Sequence, residues 1–475
     1  MKNLYVVALV LLFSQAIYAQ ENWDLERCIG YAIEHSLDVR QSDFGVQDAG
    51  IVLKQNQQQQ YPSISGSVGA SSNFGRSIDP TTNEFITSNF LSNTFGLNLN
   101  LLLYNGGRLK NQINQSRYDK SALESDKQSM IATVTVNVVN AYFEALLARD
   151  NYTNADIQIK TIQDQIDQMT KLVAAGSRAR FELYDLEAQL ATSEQQRTLA
   201  QNRIDLAMLN LKAVMNLDAD QEMVLEVPPL NQLTYTDLDN TSFETIYENV
   251  IKTRPEVEAL DLRIKSGEVG IDIAKSSFYP VINLGGFLNS NYSNQARRPD
   301  AFVESISDPQ GVLINSQPSE IQFFQLSPTS LSQIPYFSQI DENFFYGVGV
   351  QANIPIYNNY QAKGNTERAK INLENLRTDK ERYIIDIRNL IGQLVTDAKA
   401  AKRNLAASDK VLEARQIAFD NAQKRFELGA INSFDYISIQ DQLNTAKTDQ
   451  ILAKYDYMLK IKVLDFYQGY PVTIK

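Results

Sequence analysis

The chain has 475 residues, with 44 basic against 56 acidic side chains and a net charge of −12. That balance leaves no basic surface for nucleic acid and argues against that class of partner. With one cysteine, Cys28, there is no disulfide framework, so a chain of this length is held by packing or by assembly.

The first residues, MKNLYVVALVLLFSQAIYAQ, carry a positive Lys2, an apolar run from Val6 to Phe13 and a small Ala19. They predict a cleaved secretory signal over 1–19, too short to span a bilayer as a helix. Gln20 follows the expected cut, so no lipid-bearing cysteine would begin the mature chain. Residues 24–59 are predicted as one helix, stopped by Pro62, which forces the residue before it to be extended. Cys28 on that helix is expected as a small buried side chain rather than a reactive thiol. His35, the only histidine, is expected as a surface or packing residue.

From Ser63 the apolar period becomes two. Ile64, Val68, Ala70 and Phe74 alternate with Ser63, Ser65, Ser67 and Ser71. A second segment sets Phe95, Leu97, Leu99, Leu101 and Leu103 against Thr94, Gly96, Asn98 and Asn100. Two more appear later: Ile282, Leu284 and Leu288, then Tyr346, Val348, Val350, Ala352 and Ile354. Period two predicts strands with one apolar and one polar face. Such a face covers a soluble core, or it meets lipid while the polar face lines water. Each segment, at about ten residues, is long enough to cross a bilayer at a tilt. No uninterrupted run of eighteen apolar residues follows the signal, so a membrane crossing would be made by strands.

Tyr104-Asn105-Gly106-Gly107 then leads into a predicted helix from Arg108 to about Lys171, free of proline and glycine. Ala155, Ile159, Ile162, Ile166, Met169 and Val173 recur at heptad steps, a seam for lateral packing against other helices. Gly176 marks a sharp turn, and a return helix begins near Phe181. The same design is then written again at a constant offset of 253: Tyr104 maps to Tyr357, Gly176 to Gly429, Phe181 to Phe434 and Leu190 to Leu443. Leu405, Leu412, Phe419 and Phe426 form the second seam, and Ser433 is the expected N-cap of the last helix. A repeat this long predicts two equivalent halves, 20–216 and 255–475. The linker 217–254 carries Pro228-Pro229 and a short helix near 242–252. The second hairpin has an extra stretch, 294–342, whose Pro299, Pro309, Pro318, Pro328 and Pro335 forbid a long helix or central strand and predict a large loop at the hairpin tip; the resemblance given below would make it extracellular. Tyr61, Tyr104, Tyr279 and Tyr357 all fall where strand meets helix, and aromatic side chains collect at bilayer interfaces.

No CxxC, HExxH, phosphate-binding loop or dinucleotide fingerprint occurs, and nothing near His35 builds a nucleophilic triad. No catalytic residue, metal site or cofactor is expected, and the chain is not read as an enzyme.

Taken in order, the duplicated halves, the Tyr-Pro breaks (Tyr61-Pro62, Tyr279-Pro280), the Leu103-Tyr104-Asn105-Gly106-Gly107 segment, the paired glycines, Phe434-Asp435-Tyr436 and Trp23-Asp24-Leu25-Glu26 resemble the TolC-like outer-membrane efflux proteins over essentially the whole mature length. The resemblance implies a mainly α fold with a transmembrane β portion. Long coiled-coil helices and four strands per chain would assemble as a homotrimer, giving an α-helical barrel and a shared 12-stranded β-barrel in outer-membrane lipid. The implied function is a passive exit duct whose periplasmic tunnel docks to a periplasmic adaptor and an inner-membrane transporter of RND or ABC type. Four strands cannot close by themselves; two chains give eight, three give twelve, and a filled eight-stranded barrel would not conduct. The resemblance favours three. It also places acids six and nine residues past the second glycine at the narrow entrance: here Asp435 and Ser438, with Asp441 one turn deeper. A latch would join Glu182 to an arginine at the position of Ile431, with Arg178 as the replacement on the other turn. The competing expectation is a non-conducting periplasmic coiled-coil or adhesin-like trimer, which explains the heptads but not four two-faced strands.

Overall fold

The computed structural model describes residues 22–78, 83, 85–87, 89–227, 238–314 and 317–470. The expected signal and Pro228-Pro229 lie outside them. The chain divides into a unit drawn from Met1–Ile51, Arg117–Ser266 and Asn372–Lys475 and a unit drawn from Val52–Ser116 and Gly267–Ile371. Each unit therefore takes segments from both repeats.

In the first unit, β1 (Asn22–Trp23) pairs in parallel with β6 (Val224–Leu225). Helix α1 (Leu25–His35) starts at Asp24, whose carboxylate accepts from the Arg27 amide at 2.7 Å. The single helix expected over 24–59 is broken. Ser36 is extended at ψ 124°, and its hydroxyl accepts from the Val39 amide at 3.3 Å, so α2 (Leu37–Gln58) begins with its own cap. A serine that can cap competes with helical continuation, and here it wins.

Helix α3 (Arg108–Ala174) and α8 (Gln361–Glu427) have 67 residues each, roughly 100 Å at ~1.5 Å per residue. Their return helices are α4 (Arg180–Met215) and α9 (Ser433–Tyr467). Of the first heptad seam Ile159, Ile162 and Met169 are buried while Ala155, Ile166 and Val173 are half-buried, and of the second Phe419 is buried while Leu405, Leu412 and Phe426 are half-buried. The most apolar window of α3 has a mean hydropathy of 1.4, high enough by composition for a bilayer, but half of it is buried within the fold. There Tyr142, Phe143 and Leu146 pack with Trp23, Leu25 and Cys28 of the N-terminal segment, Leu211 and Met215 of α4, and Tyr455 and Met458 of α9. A second core joins Ile246 and Val250 of α5 (Phe243–Thr253) to Ile387 and Ile391 of α8 and Ile461 and Leu464 of α9.

The second unit holds a four-stranded antiparallel sheet of β2 (Ser63–Asn73), β5 (Phe90–Tyr104), β7 (Val281–Ser293) and β14 (Phe345–Asn353), in the order β14-β7-β5-β2. Helix α6 (Pro255–Lys275) and a 3-10 turn, Ser276–Phe278, lead into β7. The short pair β3 (Ser77–Ile78) and β4 (Phe85–Ile86) continues the first hairpin. The stretch 294–342, expected as a loop, is instead an antiparallel arm. It pairs β8 (Arg297–Pro299) with β13 (Leu331–Gln333), β9 (Phe302–Ile306) with β12 (Phe324–Pro328), and β10 (Gln310–Ile314) with β11 (Gln317–Ile321). The prolines do not prevent this, because a two-stranded arm is all edge and each strand leaves half its amides unpaired. Helix α7 (Tyr336–Glu342) closes the arm, with Pro335 just ahead of it.

Candidate functional site: a two-faced sheet and two helical tips

Register decides which side chains share a face, because neighbours across the ladder point the same way. Ile64 lies opposite Leu99, and Val68 opposite Phe95. Leu97 lies opposite Leu288 and Leu101 opposite Leu284. Tyr346 lies opposite Leu288, and Val350 opposite Leu284. One face is therefore apolar across all four strands. The other carries Ser63, Ser65, Asn98, Asn100, Asn283, Gln351 and Asn353, broken by Phe90, Leu102, Val281, Phe287 and Phe345. The apolar face is uncovered within the chain: Val68 is 77 %, Tyr346 75 % and Val348 81 % exposed. A continuous apolar surface of this kind is not left to water.

The four junction tyrosines lie at one end of this sheet. Tyr104 ends β5 opposite Ile282, Tyr61 and Tyr279 each stand two residues before their strands, and Tyr357 follows β14. All four are exposed. The turn beyond Tyr104 needs glycine, since Gly106 sits at φ +68° and a Cβ there would come within 2.7 Å of the Tyr279 Cβ. At the repeat positions Asn359 and Tyr360 take the same left-handed backbone, with φ of 49° and 68°.

The helical tips are built alike. Gly176 and Gly429 have φ of 74° and 75°. Ser177 donates to the Leu172 carbonyl at 2.9 Å, and Ala430 to the Arg425 carbonyl at 2.7 Å. Each tip is thus a glycine-terminated helix end whose last carbonyls are satisfied locally.

The side chains at the two tips differ, and the repeat explains how. Arg178 and Glu182 of the first tip correspond to Ile431 and Asp435 of the second. Arg178 forms an ion pair with Glu182 at 3.2 Å, and both side chains are largely buried. A second guanidinium nitrogen donates to the Phe426 carbonyl at 2.7 Å, and the group lies 5.0 Å from the Phe426 ring centre. Arg178 thus ties the first tip to the C-terminus of α8, where a cation is favoured by the helix dipole. Ile431 instead packs against the apolar cluster of Phe419, Ala422, Tyr436 and Leu443. Asp435 is exposed in the first turn of α9. The cap of that helix is Asn432, which accepts from the Asp435 amide at 2.8 Å, and not Ser433. Ser433 is buried and donates to Asp185 at 3.0 Å. Gln165 donates to the Tyr436 hydroxyl at 2.7 Å, and Tyr436 stacks on Phe426 at 4.5 Å.

Sequence reasoning missed these cross-hairpin bonds, which join residues some 250 positions apart. The one available signal was the arginine-for-isoleucine exchange between repeats. Ser438 and Asp441 line a groove of about 560 Å³ with Arg415 and Asp449, while Asp435 is not among its walls. Desolvation raises the Asp441 carboxyl above the usual carboxylate range, opposed by the Gln189 amide that donates to it at 2.8 Å.

Cys28 is buried, which pushes its thiol up to about 12. His35 is exposed, stacked on Tyr31, with Nδ1 3.0 Å from the Tyr31 carbonyl. Among the described residues no group of three His, Cys, Asp or Glu side chains is placed to hold a metal ion.

The chain is similar to proteins of one kind. It is 20 % identical over 455 residues to the probable outer membrane lipoprotein SilC of Salmonella typhimurium, covering 93 % of this chain and 84 % of that protein. It is 20 % identical over 441 residues to the cation efflux system protein CusC of Escherichia coli, covering 92 % and 84 %. Among solved structures, CusC superposes with a TM-score of 0.74 at 16 % identity over 96 % of both chains. The open state of the Neisseria gonorrhoeae MtrE outer membrane channel gives 0.70 at 14 %, covering 95 % of this chain and 90 % of that one. The family model described as outer membrane efflux protein matches residues 28–217 and 246–465, so its two segments take in both repeats. The chain belongs to the outer membrane efflux protein family.

Proposed function

We propose that three copies of this chain form a passive exit duct through the outer membrane. The observation that carries this reading is the four-stranded sheet, apolar on one face, polar on the other and open at both edges. The apolar face meets lipid and the polar face lines a water-filled passage. The sheet closes only with other copies, and twelve strands leave a conducting lumen where eight would be filled. The paired helical hairpins line the periplasmic approach, with Tyr61, Tyr104, Tyr279 and Tyr357 at the membrane boundary between strand and helix.

Energy comes from elsewhere: a periplasmic adaptor and an inner-membrane transporter of RND or ABC type dock to the helical end. Proteins named for cation efflux, alkaline protease secretion and pyoverdine export are all similar to this chain. A passive duct accounts for that range, since cargo is then chosen by the transporter. Asp435 of each copy faces the narrowed entrance and attracts cations. Arg178 and Glu182 hold the tips together in the closed state, and Gly176 and Gly429 are the turns about which the hairpins swing.

The test is reconstitution. Protein extracted from outer membranes with detergent and added to planar lipid bilayers is expected to give stepwise, cation-selective conductance. Extraction without detergent, or insertion without conductance, refutes the duct and favours the non-conducting coiled-coil trimer.

A further inference from the structure

The polar face of the four-stranded sheet is uncharged: no Asp, Glu, Lys or Arg occurs in β2, β5, β7 or β14. Such a wall can select only by hydrogen bonds and apolar contact. Of the apolar side chains that interrupt it, Phe90 is buried and Leu102 and Val281 are half-buried, whereas Phe287 is 40 % and Phe345 53 % exposed. The two exposed rings lie beside a strip of glycine.

Phe287 pairs with Gly347 across the β7–β14 ladder. A Cβ on Gly347 would come within 2.6 Å of the Phe287 ring, so that ring lies over bare backbone. Phe345 stands edge-on to it, with ring centres 5.9 Å apart and planes at 71°. The next pair on the same face is Gly285 with Gly349. A Cβ on Gly349 would meet nothing within 4 Å, and one on Gly285 would meet only the Gly349 carbonyl oxygen, at 4.0 Å. Phe287 therefore covers one glycine and leaves the next pair open. Beyond that pair stand Asn283 and Gln351, and Asn100 of β5 lies opposite Gly285 on its other side. The result is a floor of bare peptide bordered by one aromatic ring and three carboxamides. From the level of Phe287 to that of Asn283 is four residues, about 13 Å at ~3.3 Å each, which leaves room for a flat ring between the flanking side chains.

A ring of copies keeps this floor open. On the same face β2 offers only Ser, Gly and Asn, so any residue of a neighbouring β2 that comes beside Gly349 is small. Twelve strands ~4.8 Å apart and tilted by ~40° give a circumference of about 75 Å and a backbone diameter of about 24 Å. Backbones on opposite walls are thus far further apart than the ~4.5–7 Å of aromatic contact, and the phenylalanines border the passage without plugging it.

We propose that each copy carries on its lumen wall a subsite for flat aromatic groups bearing uncharged hydrogen-bonding substituents. The group lies on the Gly285–Gly349 floor, packs against Phe287, and is bonded through its substituents by Asn100, Asn283 and Gln351. Carboxamides both donate and accept, so they suit hydroxyl, amino and carbonyl substituents alike. One ring and one open wall hold the occupant weakly, as a passage requires, since cargo must leave as well as enter. The subsite rests on the duct proposed above and gives it a preference of its own among the cargo a transporter delivers.

The probe is 7-aminocoumarin, which is flat, fluorescent and uncharged at neutral pH, with an amine that donates and a carbonyl that accepts. The detergent-solubilised assembly, measured against empty micelles, is expected to raise its fluorescence anisotropy. Gly349→Val fills the floor where a Cβ meets nothing, so the sheet should form normally and the rise should vanish. Phe287→Ser should weaken binding about two- to tenfold, the worth of one aromatic contact, while Phe287→Tyr should preserve it. A parent that does not bind the probe, or binding unchanged in either Gly349→Val or Phe287→Ser, overturns the subsite. Planar-bilayer recordings on the same preparations separate this from the duct: conductance without probe binding overturns the subsite alone, whereas a parent that inserts and does not conduct overturns the duct and the subsite together.

Discussion

Removing the guanidinium of Arg178 is the most informative single perturbation of the tips. Arg178→Ala deletes the donor to the Phe426 carbonyl at 2.7 Å and the partner of Glu182 at 3.2 Å. A hydrogen bond to a charged group contributes about 1.5–3 kcal/mol. Breaking a fully buried ion pair costs about 3–5 kcal/mol, because the remaining charge is left uncompensated. Here the Arg178 and Glu182 side chains keep 14 % and 10 % of their surface exposed, so solvent screens part of that charge. The combined local cost is about 2–4 kcal/mol, which corresponds to roughly thirty- to seven-hundredfold faster opening at about 1.4 kcal/mol per factor of ten. Amide hydrogen exchange at 172–182 and 426–436 reads this directly, since those backbone amides report local opening. Adding Glu182→Gln should restore part of the protection by removing the stranded charge. Unchanged exchange in Arg178→Ala, or a double variant no better protected than the single, refutes the assignment of Arg178 as the fastener between hairpins.

Asp435→Asn should abolish cation selectivity and block by multivalent cations in planar bilayers while insertion stays intact; the serine at 438 makes the block weaker than a second acidic ring would. Val68→Lys places a charge on the lipid face at a cost of about 2–4 kcal/mol near the bilayer midplane, so heat-modifiable outer-membrane protein should fall sharply, whereas Ser67→Lys on the opposite face should insert normally. Asp441 carries a raised folded-state carboxyl, so folding favours its protonated form. That contribution is fully present below the unfolded value and is lost as pH rises through the folded one. Asp441→Asn should therefore melt above the parent at neutral pH, with the gap closing as pH falls through the carboxylate range.

Much of this molecule is legible from residue order because its design is periodic. Alternation at Phe95–Leu103 reports a face directly, and the ladder pairs confirm it because neighbours in register obey the same parity. Glycines at 176 and 429 announce left-handed turns because few other residues take that backbone cheaply. What the sequence hides is contact between distant segments. Nothing local to Arg178 points to the Phe426 carbonyl, and nothing in the proline-rich 294–342 stretch shows that its strands are partners. Ser36 breaks a helix that hydrophobic spacing alone would continue, since the competing bond is made by a single hydroxyl. Asn432 takes the cap from Ser433 because Ser433 is turned inward toward Asp185.

The small helix α7 has a consequence for the chain before it meets its partners. Beyond the end of β14, the edge of β7 would lie bare. There the Gln339 side chain accepts from the Ser293 amide at 2.9 Å and donates back to the Ser293 carbonyl at 2.9 Å, and Asn343 donates to the Asn291 carbonyl at 2.9 Å. Side-chain amides there imitate one more strand and then stop. Bare edges are templates for uncontrolled aggregation. By sealing this one, the fold shortens the length of bare strand edge that the sheet presents.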